Sequence, residues 1–229
     1  HFRFAAPPSS SASQAASLKT VTAVACGLAL ITLATFWRCL FAFFTTLDDP
    51  FYVVDNRHIH DGLTWRGIQW AWTTYHAANW HPLVWMSLML DRSLFGAAPW
   101  GYHLTNVVLH AANTVVLFLA LRELTGEIWR PAFVALLFAI HPQRVESVAW
   151  VTERKDVLSG LFWMLSMWGY AVWARRGSNR AWRAAIAALA AGLTAKQMLV
   201  TLPCVFVLLD LWPLGRWSGR PWGAAATNQ

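Results

Sequence analysis

From Thr20 to Phe44 the chain is almost wholly apolar, and that run decides the solvent in which most of the rest has to fold. About 20 helical residues suffice to cross a ~30 Å hydrocarbon core. The run is too long for the apolar region of a signal peptide, and no clear cleavage site follows it. Composition carries the inference to the whole chain: hydrophobic residues make up 57% and charged residues 13%, against ~25% charged in soluble domains. The net charge of +7 is not arranged as basic stripes on a polar chain, which excludes a nucleic-acid partner. Sixteen Trp and thirteen Phe exclude disorder for the bulk of the chain. The expected fold class is therefore all-α, a multi-pass transmembrane helical bundle of about six crossings.

Residues 1–19 are rich in Ser, Ala and Pro and carry no apolar stripe, so they are expected as a disordered cytoplasmic tail. Residues 20–216 form the membrane module. Residues 217–229 are a tail or a truncated continuation, and because the chain opens with His1 it is expected to be a fragment. Cys26, Cys39 and Cys204 lie in apolar runs without metal-ligand spacing, so they are read as packing residues with no disulfide framework and no metal site.

Between 47 and 101 charges mix with six Trp and four His, the composition of a membrane-water boundary. The apolar piece Trp80 to Leu90 ends at Asp91 and Arg92, about half a crossing at ~1.5 Å per residue. Amphipathic interfacial helices are expected in this first outer loop. Leu104 to Leu121 is the second crossing and Pro131 to Val151 the third, with His141, Pro142, Gln143, Arg144 and Glu146 near mid-depth. Such residues are tolerated only against a wet cavity or packed protein. Val157 to Trp173 is the fourth. Ala184 to Ala195 and Met198 to Trp212 flank Lys196 and are too short for two full spans, which fits a shortened hairpin with Lys196 at its tip. One long helix with a buried Lys196 is the rival.

Cytoplasmic loops carry excess Lys and Arg. With the N-terminus inside and six crossings, the inner side holds ten basic residues against Glu123, Glu127 and Asp210, while the outer side holds seven against eight acids. Were Pro131 to Val151 to dip in and return, the basic residues would divide almost evenly. The six-crossing arrangement is preferred. It gathers Asp48, Asp49, His81, Glu146, Glu153, Arg154, Lys155, Asp156 and Lys196 on the outer face.

Each of these groups has two readings. The paired carboxylates Asp48 and Asp49 repel, which raises one pKa and suits base work on a hydroxyl, or they are solvated residues after a helix end. Asn79, Trp80 and His81 offer an amide, a stacking surface and an imidazole for a sugar, or an interfacial anchor. Glu153-Arg154-Lys155-Asp156 supplies adjacent cations suited to a lipid-linked phosphate, or a self-neutralising cap. Lys196 needs a partner or a pathway, or it reaches along its stem to water. The run Arg175, Arg176, Arg180 and Arg183 is read as a topogenic signal.

Asp48-Asp49-Pro50-Phe51-Tyr52-Val53, Asn79-Trp80-His81-Pro82-Leu83, His141-Pro142 with Val145-Glu146-Ser147-Val148-Ala149-Trp150, Glu153-Arg154-Lys155-Asp156-Val157-Leu158-Ser159 and Leu211-Trp212-Pro213-Leu214-Gly215 together resemble the membrane portion of bacterial tetratricopeptide-containing glycosyltransferase-like proteins. Those are similar to the transmembrane O-mannosyltransferases that act on cadherins, within the GT-C superfamily. The resemblance implies transfer of a sugar, mannose among the candidates, from a polyprenyl-phosphate carrier to a Ser or Thr hydroxyl of a protein acceptor on the outer face of a bacterial inner membrane, with inversion. It implies Asp48 or Asp49 as the base or acceptor-orienting residue, and Arg154, Lys155 and Lys196 against the carrier phosphate. Asn79, Trp80, His81, His141, Glu146, Glu153 and Asp156 are the implied substrate contacts, and a divalent metal is left open. The chain departs from the family at Gln143-Arg144, where Leu-His is commoner, and at Gln197 after Lys196, where Pro is usual. The alternative is a degenerate module that anchors a tetratricopeptide protein.

Overall fold

The computed structural model describes residues 11–216, so residues 1–10 of the expected tail and all of 217–229 lie outside the described residues. The structure is all-α. Helix α1 (Ser11–Phe36) starts inside the stretch expected as a disordered tail, and a 3-10 segment, Trp37–Phe41, continues it. Its buried Thr32 donates to the Leu28 carbonyl at 2.7 Å, which hides the hydroxyl within the helix.

The first loop contains α2 (Arg57–His60), α3 (Trp65–Thr73) and α4 (Pro82–Phe95). None of the three is long enough to cross a ~30 Å core at 1.5 Å per residue. Thr64 caps α3 by accepting from the Gly67 N–H at 3.1 Å, the usual role of a threonine at a helix start. Ala71, Trp85, Leu88 and Met89 are fully buried and seal α3 onto α4.

Helix α5 (Pro99–Thr125) is the central column, started by Pro99 and stopped by Gly126 in the left-handed conformation at φ 76, the customary start and stop residues. It packs against α1, α6 (Trp129–Ile140) and α8 (Arg154–Arg176). The third crossing is not one helix. It breaks at His141-Pro142-Gln143 and resumes as the short α7 (Arg144–Ala149), because a helix usually ends at or before the residue preceding a proline. Among the described residues, three segments are long and apolar enough to cross a membrane: Leu18–Phe41, Pro99–Thr125 and Val151–Arg176.

Side-chain contacts fix the direction of each pass. At one end Arg154 bonds the Tyr102 carbonyl and at the other Arg176 pairs with Glu123 at 2.5 Å, so α5 and α8 run parallel. The segment between them therefore returns across the bundle, which overturns the dip-and-return alternative. Helix α9 (Asn179–Leu193) runs back along α8, with Ser166 donating to the Ala185 carbonyl at 2.7 Å. The chain then turns at Thr194 to Lys196 and comes back through a 3-10 segment, Gln197–Thr201, and α10 (Leu202–Leu211), whose Phe206 stacks on Tyr170 at 4.1 Å. A methyl added at Gly192 would collide with Leu199, so the glycine lets the hairpin arms close. The hairpin excludes the single long helix around Lys196.

The parallel run of α5 and α8 puts α7 and the α8 to α9 turn at opposite ends of the bundle. Glu146→Cys and Asn179→Cys, placed singly in a background whose three native cysteines are replaced, should label from opposite faces of a sealed membrane. Labelling of both from the same face would refute the pass directions.

Candidate functional site

The end of the bundle that carries α4, α7 and the start of α8 is organised by Arg154, whose side chain is fully buried. Its guanidinium donates to Asp91 Oδ2 at 2.6 Å, Ser87 Oγ at 2.6 Å and the Tyr102 carbonyl at 2.9 Å, and its Nε–H to Asn106 Oδ1. Asn106 in turn donates to the carbonyls of Val148 and Trp150 at 3.2 and 3.0 Å, and Thr105 donates to Asp91 Oδ1 at 2.7 Å. A buried ion pair is tolerable when the remaining donors and acceptors are filled, and here nearly all of them are. The expected phosphate role of Arg154 is therefore corrected: four of its five N–H groups are committed inside the protein, and none of its surface is accessible.

Asp49 is the second internal fastener. Its Oδ1 accepts from the Thr152 N–H at 3.0 Å and from the Thr152 hydroxyl at 2.6 Å; its Oδ2 accepts from the Thr45 N–H at 2.7 Å and hydroxyl at 3.1 Å. With the residue fully buried, this carboxylate ties the loop after α1 to the turn before α8. Asp48 is half-buried and its side chain makes none of these bonds, so of the two aspartates it is the one left for a ligand.

Five sequence candidates meet in one cavity of about 270 Å³: Asn79, Trp80, His81, Lys155 and Lys196, with Met198 also lining it. Asn79 Nδ2 donates to the Tyr52 hydroxyl at 3.3 Å, and Trp80 Nε1 to the Trp72 carbonyl at 3.1 Å. Ala77 and Ala78, at φ 52 and 57, are in the left-handed region, a conformation that costs a residue with a Cβ and is concentrated near functional sites. They aim the Asn79-Trp80-His81 segment at the cavity. Lys155 Nζ pairs with Glu153 at 2.9 Å and lies 5.8 Å above the Tyr52 ring; Lys196 pairs with Asp156.

His81 packs 4.6 Å from Trp85 and 5.6 Å from Tyr52, and its Nε2 is buried without a hydrogen-bond partner. Burial, reinforced by Lys155 and His76, lowers its pKa to about 4. The imidazole is thus neutral at physiological pH, with a ring nitrogen left for a ligand. Burial also pushes the Tyr52 phenol up to about 12, with Asn79 opposing and Asp48 and Glu153 assisting.

The remaining candidates lie elsewhere. His141 is exposed and lines a separate recess with Gln143 and Arg144. Glu146 is exposed on α7 and lines none of these cavities. Asp156 faces a second cavity of about 260 Å³, bounded also by Phe138, Arg144, Ser147, Trp163 and Met198. Among the described residues, no three His, Cys, Asp or Glu side chains cluster closely enough to hold a metal ion. Asp91, Asn106 and Thr152 were not singled out from the sequence. The available signal was a polar side chain within or beside an apolar run, which has to be bonded internally.

Residues 81–226 match the family described as dolichyl-phosphate-mannose-protein mannosyltransferase. The match begins at His81, so Asp48 and Asp49 precede it. The chain is similar to protein O-mannosyl-transferase Tmtc2 of Drosophila melanogaster, 34% identical over 140 residues, which is 58% of this chain and 15% of that protein. It is similar also to mouse TMTC2, 38% identical over 92 residues, covering 40% of this chain and 11% of that protein. Human TMTC3 is 28% identical over 161 residues, 67% of this chain and 17% of that protein. The chain thus spans only a small part of the curated relatives it matches. No solved structure matches it.

Two outcomes follow from this geometry. Arg154→Ala strands Asp91 in the interior and should cost about 3–5 kcal/mol, read as a fall in the thermal midpoint, whereas Asp48→Asn should leave the midpoint unchanged. For His81 the folded pKa lies below the unfolded value of ~6.5, so the unfolded state binds more protons between about pH 6.5 and 4. Stability should fall as the pH drops through that window, and His81→Phe should flatten that part of the curve. An unchanged slope in His81→Phe would show that the imidazole does not carry it.

Proposed function

The chain belongs to the dolichyl-phosphate-mannose-protein mannosyltransferase family, and from that premise we propose that it is the catalytic end of a membrane glycosyltransferase, moving a sugar from a polyprenyl-phosphate carrier to a Ser or Thr hydroxyl of a protein on the outer face. The observation that supports this most is the convergence of Asn79, Trp80, His81, Lys155 and Lys196, scattered widely in the chain, on one cavity. Such a cavity offers an aromatic face and hydrogen-bonding groups for a sugar, with two lysines on its wall.

The chemistry is a single inverting displacement. The acceptor oxygen forms a bond to the anomeric carbon as the bond from that carbon to the carrier phosphate oxygen breaks. The hydroxyl proton passes to a carboxylate, which we assign to Asp48 because Asp49 is filled by four hydrogen bonds. The phosphate leaves with the electron pair and is stabilised by positive charge. His81, neutral with an unpaired Nε2, and Asn79 suit the sugar hydroxyls, and Trp80 its apolar face. The carrier, the sugar, the acceptor and an N-terminus on the cytoplasmic side of a bacterial inner membrane are parts of this proposal.

Asp48→Asn should abolish transfer while leaving carrier binding within about twofold, and Lys196→Ala should weaken carrier binding about tenfold, a loss of ~1.4 kcal/mol. Transfer and carrier binding are measured on the same reconstituted preparations. Full transfer by Asp48→Asn would overturn the catalytic reading and leave an anchoring module in its place.

A further inference from the structure

The cations that face the outer cavity are already matched, Lys155 by Glu153 and Lys196 by Asp156, and Arg154 is committed to the interior. A phosphate arriving there meets a nearly neutral set of charges. Arg144 differs. It lines the second cavity and the smaller recess beside it, and among the described residues no carboxylate lies within ion-pair distance of its guanidinium. Its Cζ sits 4.6 Å from the centroid of the Phe138 ring, and a guanidinium held against an aromatic ring can still donate through its planar fork to an oxyanion.

The walls of this cavity suit the remainder of an amphiphile. Phe138, Trp163, Met164 and Leu199 supply apolar surface. A volume of about 260 Å³ falls just below the ~300–1,000 Å³ of sites that enclose a whole ligand, so it has room for a head group and the start of a chain. Asp156 is the one carboxylate on the wall. Its charge is answered by Lys196, and Ser147 donates to its Oδ2 at 3.3 Å. Met198 borders both cavities, and the Asp156 to Lys196 pair spans them, one residue on each side.

We propose that the cavity beside Arg144 seats the phosphate and first isoprenoid units of the lipid carrier, with Arg144 as the phosphate ligand and Phe138 and Trp163 against the hydrocarbon. The sugar then points past the Asp156 to Lys196 pair into the cavity lined by Asn79, Trp80 and His81. This assignment rests on the transferase reading.

The test uses the full chain in lipid nanodiscs, with a short-chain polyprenyl phosphate as probe and inorganic phosphate and the corresponding polyprenol as competitors. Arg144→Gln should weaken binding of the polyprenyl phosphate about tenfold to a hundredfold, the range for loss of charge-assisted hydrogen bonds, and Arg144→Lys should recover part of it. Phe138→Ala should weaken the polyprenyl phosphate but leave the far weaker competition by inorganic phosphate unchanged, and the polyprenol should compete poorly against every variant. Thermal midpoints matched to the parent chain exclude misfolding as the cause. Undiminished binding in Arg144→Gln would show that the phosphate is seated elsewhere, overturning this inference while the transferase reading stands. Inorganic phosphate competing as well as the lipid would reduce the site to a plain anion site and also overturn it. Absence of any polyprenyl phosphate binding by the parent chain would overturn the transferase reading and this inference with it.

Discussion

A guanidinium with no exposed surface, held by a carboxylate, a hydroxyl, an amide and a backbone carbonyl, is the fastening on which the rest of the structure depends. Arg154 joins the first residue of α8 to α4 through Ser87 and Asp91 and to α5 through Tyr102 and Asn106. In an interior of low dielectric, each unpaired donor would cost more than a bonded one contributes. The network therefore forms nearly complete or not at all. That requirement fixes the height of α8 against α5, and with it the height of every residue that follows Arg154 in the chain.

Position then propagates by simple connectivity. Lys155 and Asp156 follow Arg154 directly, so fixing one sets the other two at the mouth of the bundle. Asp49 does the same for the first loop: by holding Thr152 it brings Pro50 to Val54 against the start of α8, and Tyr52 comes to lie beneath Lys155 and against Asn79. Two internal carboxylates and one internal guanidinium thus arrange the free groups beside them. Adjacent residues in the Asp48-Asp49 and Arg154-Lys155 pairs divide the work: Asp49 and Arg154 are buried fasteners, while Lys155 lines the cavity and Asp48 stays half-buried outside the network.

That division explains what was and was not legible in the sequence. The apolar runs at 20–44, 104–121 and 157–173 gave helices in the right places, because a length of apolar chain has few alternatives in lipid. Of the residues that the charge count gathers on one face, His81, Lys155 and Lys196 share a cavity, with Asn79 beside them. Which member of a charged pair faces inward was not legible. Asp48 and Asp49, or Arg154 and Lys155, have the same composition and nearly the same depth, and only tertiary partners such as Thr152, Asp91 and Asn106 distinguish them. The start of α1 at Ser11 was missed for a related reason: serine and alanine without an apolar stripe resemble a tail, yet alanine-rich chain extends a helix already nucleated by its neighbour.

The broken third pass shows how a local defect becomes a feature. His141-Pro142 ends α6 after 12 residues, too few to reach across a membrane at 1.5 Å per residue, and the chain completes the pass as a bend and a single short helix. Irregular backbone at such depth is stable only where protein or a wet cavity receives its polar groups. Here the carbonyls of Val148 and Trp150 are received by Asn106, and that of Ala139 bonds His110 Nε2 at 3.1 Å. An unbroken helix would continue past Ile140 along one axis and leave no recess beside it. Because the pass bends, α7 meets the start of α8 through Ser147 and Asp156, Arg144 lies over the Phe138 ring at the corner, and these residues bound a cavity whose walls change from apolar to charged within a few residues.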